Sequence, residues 1–216
     1  MIENVRKYPV HTVIAISVYY LVGIIGLITE QFQSLFKALV PYTLLFSLYF
    51  LLLFHEGSKV KIYVTAIIII LLSFLVEAIG VNSGVIFGHY VYGPTLGIKL
   101  WNTPLMIGIN WLLLIYSCWV LTGLFTEKRW LRYLAGSLLM VFYDLALEPV
   151  AIRLDMWNWY GESVPIMNYT GWFLTSMILF IILELGVGNI KNKIAPALFI
   201  IQFIFFLALN IIFYLS

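Results

Sequence analysis

Charge is what this chain has least of. Asp, Glu, Lys and Arg make up 10% of its 216 residues, against about 25% in a soluble globular domain. With 63% hydrophobic residues and a mean hydropathy of +1.03, that scarcity excludes a water-soluble fold and implies an integral membrane protein. A single cysteine, Cys118, excludes an intramolecular disulfide. The three histidines, His11, His55 and His89, are scattered, which leaves no ligand set for a haem or a metal. No basic patch accompanies the net charge of +2, so nucleic acid is not an expected partner. A phosphate loop, a dinucleotide glycine pattern and a Ser-His-Asp arrangement are all missing, and no cofactor is expected. The last apolar run holds no Lys, which excludes a retinal Schiff base there.

What is present is a series of apolar runs. Windows of ~20 residues suggest about seven spans: Val10–Ile28, Leu39–Phe54, Lys61–Ile79, Pro104–Phe125, Trp130–Ala151, Thr170–Gly186 and Ile194–Leu215. The expected fold is thus an all-α membrane bundle, one polytopic domain over residues 1–216. Arg6 and Lys7 precede the first run, but no small-residue cleavage site follows, so the run is expected to be a retained helix. The piece 80–103, rich in Gly and aromatics, is too interrupted to span and is expected to be interfacial or re-entrant. Its Gly80, Gly84 and Gly88 are expected to let backbones pack closely. Arg6, Lys7, Lys59, Lys61, Lys128, Arg129, Arg132, Lys191 and Lys193 fall in the tail and alternate connections, and only Lys37, Lys99 and Arg153 on the other side. That asymmetry places the N-terminus in the cytoplasm and the C-terminus outside.

The ten acids sort by depth. Glu3, Glu56 and Glu127 fall in inner connections, Glu30, Asp155 and Glu162 in outer ones, and Glu184 near an inner helix end within reach of Lys191. Glu77, Asp144 and Glu148 remain, in the outer halves of the third and fifth spans. A charge at bilayer centre costs at least ~2.5–3.5 kcal/mol on insertion scales, so acids at such depth are functional candidates. Glu77 and Glu148 also suit a plainer role, capping or snorkelling at the interface. Asp144 and Glu148 are spaced i,i+4 and share one helix face. Pro149 follows at once, leaves the Leu145 carbonyl without its usual donor and is expected to break the helix beside both acids. Two close carboxyls in a low-dielectric site do not both ionise, which gives a general acid beside a general base.

Five of the seven Trp (Trp101, Trp111, Trp157, Trp159, Trp172) lie on the same outer side. A belt would account for most of them, but an aromatic-walled pocket would also stabilise a carbocation. There is an internal echo as well. Pro104–Trp111 and Pro165–Trp172 each open a descending helix after an ascending one that carries an acid, Glu77 or Glu148. Such a pair would be a parallel repeat about an axis normal to the membrane.

Glu77, Phe87-Gly-His-Tyr90-Val-Tyr92, Asp144-Leu-Ala-Leu-Glu148-Pro149, Trp157-Asn-Trp159 and Pro165-Ile-Met-Asn168-Tyr-Thr-Gly171-Trp172 together resemble the membrane-type carotenoid biosynthesis protein family. The resemblance covers about Glu77 to Trp172, with Tyr169 standing where Phe is expected. It implies a hydratase that adds water to the terminal double bond of an acyclic carotenoid in the cell membrane, with other enzymes of the pathway as candidate partners. The catalytic candidates are Asp144, Glu148 and Glu77. The substrate-binding candidates are Tyr90, Tyr92, Asn110, Trp111, Trp157, Trp159, Asn168 and Trp172. Two rivals stay open at this point. One is a carotenoid end-group cyclase, which shares the proton donor. The other is a proton-coupled transporter, disfavoured by the largely apolar inner halves of the spans.

Overall fold

Backbone groups in a bilayer have no water to bond, so apolar runs must close their own hydrogen bonds. The computed structural model describes residues 5–161 and 163–215; Glu3 and Glu162 lie outside them. Among the described residues the chain forms eight helices and four short strands. Helix α1 is Pro9–Ile28, with Pro9 in the first turn, where a missing N–H costs nothing. Helices α2 (Glu30–Ala38) and α3 (Val40–Leu53) meet at Leu39 with a bend of 55°. Helix α4 is Lys59–Ser83, capped at its start by the Ser58 hydroxyl, which accepts from the Lys61 N–H, and stopped by Gly84 at φ 70°. Then come β1 (Tyr90–Tyr92), β2 (Lys99–Leu100), β3 (Thr103–Pro104), α5 (Met106–Thr122), α6 (Arg129–Arg153), β4 (Trp157–Trp159), α7 (Ile166–Val187) and α8 (Ala195–Leu215).

Five helices, α1, α4, α6, α7 and α8, are long and apolar enough to cross a membrane, and α2 with α3 makes a sixth if the bent pair is one span. Helices of that length and apolarity make this a multi-pass membrane protein. The seventh expected span is α5. It has 17 residues, about 26 Å at 1.5 Å each, because Pro104 belongs to a strand and the helix stops at Thr122. Length matters less at its position. Every residue from Trp111 to Val120 is buried, since α5 packs against α3, α4, α6, α7 and α8. Helices α4, α5, α6 and α7 close a ring, each packed on the next, with α8 and α1 outside it. Gly108 permits the α4–α5 approach: a Cβ there would lie 2.6 Å from the Ile70 carbonyl oxygen. Ile67, Leu71, Leu174 and Ile178 stay exposed, as lipid-facing residues do.

Three expectations change. The fold is not purely helical, because 80–103 contributes strands. All three spaced glycines admit close neighbours, Gly80 the Phe87 ring, Gly84 the His89 ring and Gly88 the Pro165 ring, but Gly84 and Gly88 also make turns, at φ 70° and 103°. Pro149 does not break α6, which runs on to Arg153. Beside the carbonyl it leaves free, Asn210 of α8 donates to the Ala146 carbonyl at 2.6 Å.

The charges separate in space as the sequence suggests. Lys37 pairs with Asp155 at 2.5 Å, and Lys99 donates to the Tyr92 carbonyl. At the other end Arg6 and Lys59 both reach the His55 carbonyl, and Lys193 approaches Glu56 at 3.9 Å. Glu184 does not meet Lys191; it pairs with Arg129 at 2.7 Å and accepts from Tyr133.

Candidate active site

The three deep acids stand on the facing helices α4 and α6, and all are buried. Buried carboxyls must find donors, and each finds them in a different way. Glu77 Oε2 accepts from the Tyr90 and Tyr92 hydroxyls, both at 2.7 Å, and its Oε1 from Trp111 Nε1 at 2.8 Å. Glu148 Oε2 accepts from Trp157 Nε1 and Trp159 Nε1, both at 3.0 Å. The Asn168 amide bridges the remaining pair, donating to Asp144 Oδ2 at 2.6 Å and Glu148 Oε1 at 3.3 Å. Asp144 Oδ1 is buried without a hydrogen-bond partner among the described residues.

Strand chemistry aims these donors. Side chains alternate along a strand, so Tyr90 and Tyr92 turn inward and Val91 outward, while Trp157 and Trp159 turn inward and Asn158 outward. Strands β1 and β4 pair antiparallel, with Tyr90 opposite Trp159 and Tyr92 opposite Trp157. The ribbon is extended at its ends by Tyr160 N–H to the His89 carbonyl (3.1 Å) and Gly93 N–H to the Met156 carbonyl (2.9 Å). It lies over the acids as a roof. Burial, and then the Glu77 carboxyl they face, push the Tyr90 and Tyr92 phenols well above their ordinary value, so both remain donors. Below the roof the Trp111 and Trp172 rings stack at 4.4 Å. Under the roof is also a space of about 20 Å³ touched by Glu77, Glu148, Asn168, Trp172 and the roof's four aromatic side chains. That is room for one water, which needs ~10–15 Å³ by the same measure.

The internal echo extends to the hydrogen bonds. In each half an acid takes two aromatic donors spaced i,i+2 on the following strand, and the next helix carries a Trp, Trp111 or Trp172, that stacks on the other. The correspondence is not complete: Trp111 donates to Glu77, for example, and no such bond joins Trp172 to Glu148 among the described residues. Four residues before Glu77 stands Ser73, where Asp144 precedes Glu148; four before Trp111 stands Ile107, where Asn168 precedes Trp172. Ser73 merely bonds its own helix, at the Ile69 carbonyl. Only the second half carries the extra acid and its amide.

Seven of the eight substrate-binding candidates therefore gather around the acids: Tyr90, Tyr92, Trp111, Trp157, Trp159, Asn168 and Trp172. Asn110 does not; it lines a larger cavity on another side of α5. Trp101 is exposed, in the two-residue turn of the β2–β3 hairpin. The strand pairing was missed by the sequence reading, although Tyr-Val-Tyr and Trp-Asn-Trp carry the period of two that signals it. Phe87 was missed as a packing element too: it is wedged between Gly80 and Gly171, where added Cβ atoms would lie 2.5 and 2.6 Å from its ring.

A ring of helices enclosing acids under an aromatic roof defines an α-helical membrane protein with a buried carboxyl site. The chain belongs to the carotenoid biosynthesis protein family, whose profile matches residues 36–216. It is also similar to bisanhydrobacterioruberin hydratase of Haloarcula japonica, 28% identical over 126 residues, covering 54% of this chain and 42% of that protein. The alignment thus spans less than half the length of the relative. No solved structure matches the chain.

Proposed function

We propose that this protein is a carotenoid hydratase of the cell membrane, adding water across the terminal double bond of an acyclic carotenoid end group. The observation that carries the reading is Asp144: fully buried, with Oδ1 unpartnered, at the position where the first half has only Ser73. A carboxyl with only a structural duty would resemble Glu77, whose oxygens are filled by three donors.

In the proposed reaction Asp144, carrying the proton shared by the pair, protonates the CH carbon of the terminal alkene. The positive charge is left on the dimethyl carbon. Ring faces of the Trp and Tyr cluster stabilise it, by ~2 kcal/mol or more per desolvated contact. A water in the space beside Glu148 attacks the cation, and Glu148 takes the proton that water loses. The product is a tertiary alcohol, and return of the proton from Glu148 to Asp144, one helical turn away, resets the pair. General acid and general base each contribute ~10²–10⁴ in rate. The space beside the acids is too small for an end group, so the alkene reaches Asp144 as the aromatic walls part.

A cyclase would share donor and cation but keep water out; a polar, water-sized space favours hydration. A proton relay would continue to the opposite face. Here Leu112, Leu113, Leu114 and Ile115, all fully buried, close α5 below the acids. Within this reading the α2–α3 pair and α5 bring the spans to seven, with the N-terminus inside and the carboxyl site near the outer face. The test is product analysis after expression in a host that accumulates lycopene. A tertiary alcohol is expected, and none with Asp144→Asn. A ring product would make the protein a cyclase, and no change in the carotene would return the transporter to first place.

A further inference from the structure

The space beside the acids has room for one water, so a larger group reaches them only if part of the wall moves. The ribbon roof is ill suited to that. Tyr90, Tyr92, Trp157 and Trp159 tie it to the carboxyls by four hydrogen bonds, and lifting it breaks all four. The outer end of the seam between α4 and α7 is closed differently, by the Phe87 ring. A Cβ added to Gly80 of α4 would lie 2.5 Å from ring atom Cδ2, and one added to Gly171 of α7 2.6 Å from Cδ1. The two glycines thus press on opposite edges of one ring. That ring also borders the space beside Glu77, Glu148 and Asn168.

Phe87 is buried, but lipid is close. Ile79 and Thr170, each next to one of the glycines, and Val85, two residues before the ring, are all exposed. No backbone hydrogen bond ties the segment down: Ile86, Phe87 and Gly88 bond to no described residue, and the Val85 N–H reaches only Ser83 Oγ, at 3.2 Å. Gly84 and Gly88 bound the segment, at φ 70° and 103°. Glycine changes its dihedrals at the least steric cost, and a few residues at element ends suffice for a hinge. Outward movement carries the ring from protein into acyl chains, which are as apolar as a leucine side chain. The transfer itself therefore costs little.

We infer that Phe87 is the lipid-side gate of the carboxyl site, and that the place it vacates is the slot through which the reacting group comes in. Swinging out about Gly84 and Gly88, the ring frees a passage between Gly80 and Gly171 from the bilayer to Asp144 and Glu148. Protein interiors are close-packed, so the slot takes a flat apolar group about the size of the benzyl group that leaves it. A terminal alkene with its two methyls is flat and fits. The identity of that group rests on the hydratase reading; the gate needs only the acids and the seam.

The test reads access to the acids without any hydration. Diisopropylcarbodiimide dissolves in lipid; a protonated carboxyl adds across one of its C=N bonds, the proton going to nitrogen, and the adduct rearranges to a stable N-acylurea. The full chain in phosphatidylcholine liposomes is treated with it, and modification of Asp144 and Glu148 is followed by mass spectrometry. A minor open state is populated at roughly 0.1–10%, so Phe87→Ala, which holds the slot open, should speed modification about tenfold or more. Toluene, which replaces the deleted ring, should return the rate towards that of the parent. Phe87→Leu should fall between the two and covers the case in which the alanine variant does not fold. Glu184, paired with Arg129 at the other end of the bundle, should react at one rate in every variant. A charged, water-soluble carbodiimide should gain nothing from either substitution. Unchanged rates in both Phe87 variants would overturn the gate, and equal acceleration of the water-soluble reagent would overturn entry from lipid. A fast Phe87→Ala variant that forms no alcohol from any carotene would sink the hydratase reading and leave the gate standing.

Discussion

The indole of Trp111 lies stacked on that of Trp172, ring centroids 4.4 Å apart and planes inclined by 28°. They end the matching stretches Pro104–Trp111 and Pro165–Trp172, so each meets its counterpart in the sequence echo. One face of the carboxyl site is thereby closed by a contact that neither half could make alone.

Removing an acid should separate chemistry from structure. Asp144→Asn is isosteric and keeps an acceptor for Asn168, so folded protein should be recovered with activity lowered at least ~100-fold. Glu148→Gln should lose as much. Glu30→Gln, on the exposed surface of α2, should match the parent. Turnover of an acyclic carotene with a thermal melt on each variant makes the comparison. Near-normal turnover in the Asp144 variant would leave the proposed mechanism without its acid.

The roof donors should matter in proportion to the bonds they make. Trp157→Phe removes one of two indole donors to Glu148 Oε2 and leaves the ring in place against Tyr92. A hydrogen bond to a charged group contributes ~1.5–3 kcal/mol, and the loss should appear as a lower unfolding midpoint in detergent. Val91→Thr, pointing away from the acids in the same ribbon, should leave the midpoint within measurement error.

Close backbone approach gives a third expectation. In Gly171→Ala the new Cβ would lie 2.6 Å from the Phe87 ring and 2.8 Å from the Ile86 carbonyl oxygen. The backbone cannot yield as a side-chain end does, so stability should fall by ~1–3 kcal/mol. Gly161→Ala, whose Cβ would meet nothing nearer than 3.8 Å, is the control for chemical denaturation.

Orientation is checked with single cysteines in a Cys118→Ala background. Lys59→Cys and Tyr160→Cys mark opposite ends of the bundle. An impermeant thiol reagent applied to intact cells should label position 160 and spare position 59. The reverse pattern would invert the topology and place the acids near the inner face.

Isotopes read the reaction itself. In heavy-oxygen water the tertiary carbon should acquire the label, and in deuterium oxide one deuterium should appear on the adjacent carbon. Oxygen derived from dioxygen would identify an oxygenase instead.

Much of this was legible in the sequence because lipid imposes a blunt rule: apolar length alone brings out α1, α4, α6, α7 and α8. Asp144, Glu148 and Glu77 stood out for the same reason, as acids in apolar runs. Position in space was harder to read. Asn110 and Trp111 are neighbours in the chain, yet a helix turns about 100° per residue, so one lines the larger cavity on another side of α5 and the other bonds Glu77. Trp157 and Trp159 read as membrane-interface residues because an indole suits that depth; that their N–H groups share one carboxyl oxygen depends on a strand pairing across 67 residues, the step from Val91 to Asn158. The break expected at Pro149 is absent, because α6 continues to Arg153 and its packing against α5, α7 and α8 offsets one missing hydrogen bond.

The distance of each acid from its donors also bears on how such a chain enters the membrane. Glu77 finds its phenols 13 and 15 residues downstream, and Glu148 its indoles 9 and 11 residues downstream. A nascent chain leaving the ribosome therefore delivers each carboxyl with its own partners close behind. The first half can settle Glu77 in the bilayer before Glu148 has been synthesised. The ribbon can form only when Trp157 to Trp159 emerge and find Tyr90 to Tyr92 already in place. Asp144 is the exception, since its donor Asn168 lies 24 residues on in the next helix. Its pairing must wait for α7, so the acid with an unpartnered oxygen is also the last to gain a donor.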